Sequence, residues 1–175
     1  MFSNIHFIGG VHGSGKGTSS REIYNNTELI YLEASKVLKW ENLSSQQNKK
    51  VINIEFTQNR LLFNLSQIIK PETSYLLDGH YCLINENNEI ERIEINTFEK
   101  INPKSLSIKI DEPVEIKKRL QLRDDKDYDL DFIVHFQNEE LKYAKFLSEI
   151  LKKPLFLLNN DLKNLIKYIN HENPS

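Results

Sequence analysis

Short apolar runs of strand length alternate along the chain with stretches whose apolar residues recur at three- and four-residue intervals. β-prone runs occur at Ile5 to Ile8, Leu29 to Leu32, Tyr75 to Leu77, Leu106 to Ile110 and Leu155 to Leu158. Between them the period becomes helical. Leu162, Leu165, Ile166 and Ile169 fall at i, i+3, i+4 and i+7, and a longer stripe runs through Leu130, Ile133, Val134, Gln137, Leu141, Ala144, Leu147 and Leu151. Pro113 suits a first helical turn, with Asp111 as the expected N-cap, and Pro154 is expected to stop the long helix before the last strand. This alternation predicts an α/β fold: a five-stranded, mainly parallel sheet with helices on both faces and a ligand crevice at the C-terminal strand ends.

One stretch breaks the pattern. Residues 83–103 alternate Ile90, Ile93 and Ile95 with charged residues around Asn87-Asn88, and are expected to form a surface loop or short hairpin. With no repeat, low-complexity block or Pro- or Gly-rich linker, the 175 residues read as one domain spanning 1–175. Composition narrows the partners. Lys plus Arg number 23 against 25 Asp plus Glu, a net charge of -2, which argues against a nucleic-acid-coating role. The single cysteine, Cys82, cannot form an internal disulfide, no apolar run has the length of a membrane span, and the N-terminus lacks the pattern of a secretory signal. A cytoplasmic protein without membrane partners is expected, and the sequence leaves a homo-oligomer open.

Chemistry concentrates near the N-terminus. Five of the six glycines, Gly9, Gly10, Gly13, Gly15 and Gly17, lie within nine residues, and Gly10 to Thr18 reads G-V-H-G-S-G-K-G-T between a strand and a helix. That is the context a phosphate-binding loop requires: glycines turn successive N-H groups inward at a helix N-terminus, and Lys16 adds a full positive charge. A mere strand-to-helix turn needs one or two glycines, whereas each extra one costs roughly 0.5 to 1 kcal/mol relative to Ala. Gly10, Gly13, Ser14, Gly15, Lys16, Gly17 and Thr18 are therefore the expected nucleotide-binding residues, with ATP and Mg²⁺ as cofactors. His12, at the tip of the loop, reads as a bystander facing solvent or nucleotide. The apolar strand ending SYLLD places Asp78 before Gly79, where a carboxylate serves a magnesium nucleotide site or caps the next turn.

The form G-G-x-x-G-S-G-K-G-T, with a glycine after the lysine, resembles the phosphate loop of the nucleoside monophosphate kinases. The stretch D-G-H-Y-C-L-I, Asp78 to Ile84, resembles the D-x-H-x-x-I segment of the archaeal-type adenylate kinases. The later D-E-P-V-E-I-K-K-R-L, and Phe136-Gln137 before a long helix, keep that family's order. The resemblance implies a P-loop kinase fold and ATP-dependent phosphoryl transfer to a nucleoside monophosphate or a similar small acceptor. By the same resemblance Lys16, Asp78, Arg119 and Arg123 would be catalytic, with the arginines on a short lid over residues 119–131. Four residues apart, the two arginines share one helix face, which also suits a solvated basic patch paired with Asp124, Asp125, Asp127 and Asp129. His80 reads equally as a packed neutral histidine or as a ligand-side residue.

On the acceptor side the chain departs from the pattern. Y-L-E-A-S-K-V-L-K-W offers Lys36 and Lys39, with Arg60 in the next helix, where adenylate kinases place an arginine; Trp40 reads as core. Lys36, Arg60 and His80 are the expected acceptor-binding residues. Two other readings stay open: an ATP-binding or slowly hydrolysing module with an interaction role, and a kinase for a non-nucleotide metabolite.

Overall fold

Five parallel strands form one sheet in the order β2-β3-β1-β6-β7 in the computed structural model, which describes residues 2–38 and 54–172. They are β1 (Ile5–Gly9), β2 (Ile30–Glu33), β3 (Tyr75–Asp78), β6 (Ser105–Ile108) and β7 (Leu155–Leu157). β1 is central. Its register sets Ile5 beside Tyr75 and Ile8 beside Asp78 on one side, and His6 beside Ser105 and Gly9 beside Ile108 on the other. The chain turns outward from β1 in both directions, so its C-terminal end lies at the point where the strand order reverses.

Successive residues of each strand feed opposite layers. Ile8 and Leu76 face a cluster completed by Ile23, Leu158, Leu165 and Ile169 from α1 (Lys16–Asn25) and α7 (Leu158–Glu172). Phe7 and Leu77 face a larger cluster on the other side, containing residues of α3 (Ile54–Ile68), α5 (Pro113–Asp124) and α6 (Leu130–Leu151). α2 (Ala34–Val37) is a single turn after β2. The doubly covered parallel sheet is the architecture expected from the sequence.

Three local expectations are corrected. Residues 83–103 are only partly a surface hairpin. β4 (Cys82–Ile84) pairs antiparallel with β5 (Ile90–Arg92), and α4 (Ile95–Ile101) follows. Ile93, Phe98 and Ile101 are buried, and Phe98 meets Phe7 and Tyr143 edge to face, because the Ile-rich alternation supplies one apolar face to the larger core. Asp111 is not the N-cap of α5; that position is Glu112, which makes no side-chain cap. In the long helix the buried face runs through Ile133, Phe136, Glu140, Tyr143, Ala144 and Leu147, whereas Val134 is 36% exposed. That helix ends at Leu151, before Pro154, because Lys152 takes a left-handed conformation at φ 52°.

Candidate phosphate-binding site

Between the end of β1 and the start of α1 the chain makes a tight loop with positive φ at Gly10 (136°), Gly13 (82°) and Gly15 (87°). At Gly10 the requirement is doubled, since a Cβ there would stand 2.4 Å from the backbone oxygen of Lys109. Gly15 occupies the N-cap of α1 in the left-handed conformation and no side chain caps that end, so the first-turn amides other than Thr18 N, which donates to the Gly15 carbonyl at 3.1 Å, are left for a ligand. The loop walls a cleft of about 560 Å³ whose lining includes Gly13, Gly15, Lys16, Gly17, Thr18 and Arg119. A side chain at Gly17 would meet nothing within 4 Å.

Lys16 and Asp78 meet beneath this cleft. The ammonium is 2.7 Å from Asp78 Oδ1 and donates to the Gly79 carbonyl at 2.5 Å, both side chains being 11% exposed. Asp78 Oδ2 accepts from Tyr31 Oη at 2.8 Å and from Ser20 Oγ at 3.3 Å. Burial and the neighbouring Asp78 charge push the Tyr31 hydroxyl far above its ordinary range, so it stays a donor. The register of β2, β3 and β1, pairing Glu33 with Asp78 and Asp78 with Ile8, brings these groups to one sheet end.

The two arginines expected on a lid part company. Arg119 lines the cleft, donating to the Gly13 carbonyl at 2.7 Å and to Asp111 Oδ2 at 2.6 Å. Asp111 is in turn locked to Gln137 by two backbone–amide hydrogen bonds of 2.9 Å. Arg123 instead forms a bidentate pair with its neighbour Asp124, which also accepts from Tyr128 Oη, and is not among the cleft-lining residues. The segment 119–131 is thus the end of α5, a turn and the start of α6, tied further by Lys117 to Asp127 at 3.0 Å.

The expected acceptor residues are also separated. Lys36 is exposed and pairs with Glu33 at 2.6 Å. Arg60 is half-buried on α3 and does not line the cleft, and Lys39 and Trp40 lie outside the described residues. His80 sits behind the loop, 16% exposed, with its ring centroid 4.5 Å from that of His12, which does line the cleft. The rest of the cleft wall includes Arg21, Tyr24, Tyr31 and Glu33, with the two tyrosine rings 5.3 Å apart. Arg21 and Tyr24 follow Lys16 by five and eight residues, placing them farther along α1, a spacing readable in the sequence once the loop is known.

The residue most plainly missed is Glu140. Its carboxylate is fully buried, and Oε1 accepts from Tyr81 N at 3.0 Å and Cys82 N at 2.9 Å, with His80 Nδ1 at 3.5 Å. Burial pushes this carboxyl up to about 7, against the opposing pull of the Cys82 N-H, Lys16, and the Tyr81 and Gly10 N-H groups. A charged residue three to four positions from Phe136, Gln137 and Ala144, inside an apolar helical stripe, was the signal. Among the described residues no three His, Cys, Asp or Glu side chains cluster as a metal site, and no helix is long and apolar enough to cross a membrane.

The profile of a family described as AAA domain matches residues 9–137. No curated protein matches the chain. Among solved structures, a gluconokinase from Sinorhizobium meliloti 1021 is similar at a TM-score of 0.57 and 10% identity, covering 95% of this chain and 89% of that one. A sugar kinase from Janibacter sp. HTCC2649, solved unliganded, has a TM-score of 0.55 and 16% identity, covering 97% and 93%. An uncharacterized protein from Eubacterium ventriosum ATCC 27560 has a TM-score of 0.52 and 11% identity, covering 95% and 98%. At these identities the likeness establishes the fold.

Proposed function

Because the chain belongs to the family described as AAA domain, within the P-loop NTPases, we propose that it is an ATP-dependent phosphotransferase moving the γ-phosphoryl group to a small acceptor. One observation carries the reading: three glycines at positive φ lead into an uncapped helix N-terminus whose first residue is Lys16. Loop amides and the α1 N-terminus would hold the phosphate chain, and Lys16, leaving Asp78, would neutralise charge on its terminal groups. Arg119, already at the loop through Gly13, would face charge developing on the transferring group. Arg123, tied to Asp124, has no such part.

The donor set suits magnesium. Thr18 is an exposed residue two positions after Lys16, and Asp78 pairs with Lys16, so hard oxygen donors stand beside the cradle. Those two residues would hold Mg²⁺, which when bound neutralises phosphate charge. The protein's own task is positioning, with little covalent chemistry of its own.

The acceptor would lie against Arg21, Tyr24, Tyr31 and Glu33. A nucleoside monophosphate fits through the Arg21 guanidinium for its phosphate and the tyrosine rings for its base. A hydroxyl-bearing metabolite is the second reading, favoured by the Glu33 carboxylate in the same wall, an acceptor for hydroxyl hydrogens that repels phosphate; one structurally similar protein is named a sugar kinase and another a gluconokinase. An assay of ADP release across nucleoside monophosphates, sugars and alcohols separates them. Acceptor-dependent turnover is expected with one of these classes. Nucleotide binding without any acceptor-dependent release contradicts the transferase reading and leaves a binding module.

A further inference from the structure

We propose that Gln137 is a positioning residue for phosphoryl transfer: by clasping the backbone of Asp111 it fixes the carboxylate that holds Arg119 against the phosphate loop. This role rests on the phosphotransferase reading of the cleft. Gln137 is not among the residues lining that cleft, so it acts through Asp111.

Hydrogen bonds run in series from α6 to the loop. Gln137 is the amide within the apolar stripe of α6, and its two ends grip a single residue: Oε1 accepts from Asp111 N at 2.9 Å and Nε2 donates to Asp111 O at 2.9 Å. With both backbone groups of Asp111 held, its carboxylate is aimed. Oδ1 accepts from Glu112 N at 2.9 Å and Oδ2 from Arg119 Nη2 at 2.6 Å. The other arm of the same guanidinium, Nη1, donates to Gly13 O at 2.7 Å. These bonds take only part of the guanidinium's N-H donors, and the remainder can meet phosphate oxygens. Arg119 is a long side chain, 45% exposed, whose rotamer freedom would otherwise be lost on meeting a phosphate. Held at two points beforehand, its planar fork is preorganised.

A merely structural role would be to fasten α6 to the connection between β6 and α5. That connection has anchors of its own, Lys109 N to Gly9 O at 3.0 Å and Ile110 N to Asn159 Oδ1 at 3.4 Å, and α5 and α6 meet in the apolar core that contains Ile116, Leu120, Ile133 and Phe136. Holding Asp111 from both sides takes a side chain that accepts and donates, which methionine cannot do. Gln137→Met, similar in length and volume, therefore removes the clasp and leaves the other anchors in place.

The test uses the full chain and two measurements. Without nucleotide, nitrogen-15 NMR follows the Arg119 guanidinium, with Arg123, tied to its neighbour Asp124, as internal control. Separate signals from the two Nη groups of Arg119 are expected in native protein, because its two anchors slow rotation of the guanidinium. A merged signal is expected in Gln137→Met, with Arg123 unchanged. Separate signals in both proteins, merged signals in both, or a change shared by Arg123 overturns the proposal. MgATP affinity is then measured for native protein, Gln137→Met, Arg119→Ala and the double variant. Gln137→Met is expected to weaken binding about fivefold or more with Arg119 present and less than about twofold without it. No loss, or the same loss in both backgrounds, overturns the proposal, since a structural amide would act with or without Arg119. If native protein bound no MgATP, the phosphotransferase reading would fall, while the guanidinium signals would still decide whether Gln137 positions Arg119. Should Gln137→Met not fold, Gln137→Glu, which keeps the acceptor for Asp111 N but replaces the donor with a second anion, takes its place with the same expected and overturning results.

Discussion

At the scale of single residues, the loop's glycines differ in what they are for, and substitution reads the difference. Gly10→Ala would force a Cβ to within 2.4 Å of the Lys109 oxygen at a φ of 136°, so a loss of about 1–3 kcal/mol or more is expected in chemical unfolding. Gly17→Ala, in the first turn of α1 with open space around it, is expected to stabilise by roughly 0.5–1 kcal/mol. Equal effects would contradict the backbone account of the loop. The glycine cluster and Lys16 were legible because their spacing is local. Tyr31, Glu33 and Glu140 were not, since their relation to Asp78 and to the Tyr81 and Cys82 amides is created by strand register and helix packing across tens of residues. Arg119 and Arg123 are four residues apart on one helix, yet their partners, Gly13 and Asp111 for the first and the adjacent Asp124 for the second, decide which one faces the cleft.

At the scale of elements, the central strands β1 and β3 were readable because both of their faces are buried and their runs are mostly apolar. The segment 83–103 was harder: a hairpin of two three-residue strands and a seven-residue helix carry too few periods to declare themselves. Burial now ranks their residues. Phe98→Ala, at 1% exposure between Phe7, Tyr81 and Tyr143, is expected to cost about 3–5 kcal/mol, whereas Phe63→Ala, at 65% exposure on α3, should stay within about 0.5 kcal/mol. Thermal or urea unfolding checks both. A tolerated Phe98→Ala would mean that α4 is peripheral to the core.

At the scale of the whole molecule, two buried titratable groups pull stability in opposite directions with pH. His6, whose Nδ1 lies 2.8 Å from Ser105 Oγ, is lowered from 6.5 to about 4 by burial and the Lys104 charge. The folded state thus binds fewer protons there, and its contribution, about 3 kcal/mol, is present above pH 6.5 and lost as pH falls toward 4. Glu140, raised from 4.5 to about 7, does the reverse: its contribution of similar size is present below 4.5 and lost as pH rises toward 7. Between about pH 4.5 and 6.5 the two slopes offset one another. Glu140→Gln should therefore become less stable on acidification relative to native protein, and His6→Asn more stable. Urea midpoints across that range test this, and parallel profiles for all three proteins would contradict it. Fold class was legible in the sequence at this scale because alternation and loop position are global patterns. The wall of the cleft beyond the loop was not, because it is assembled from α1 and β2 side chains whose convergence no local motif encodes.

The central claim is that the loop around Lys16 grips the phosphates of a nucleoside triphosphate. Calorimetric titration of the full chain with MgATP, run beside Lys16→Ala, tests it most directly. Saturable one-to-one binding is predicted for the native protein, weakened roughly 10- to 150-fold in the variant, as expected for a charge-assisted contact worth about 1.5–3 kcal/mol. Absence of binding, or equal affinity in both proteins, would contradict it.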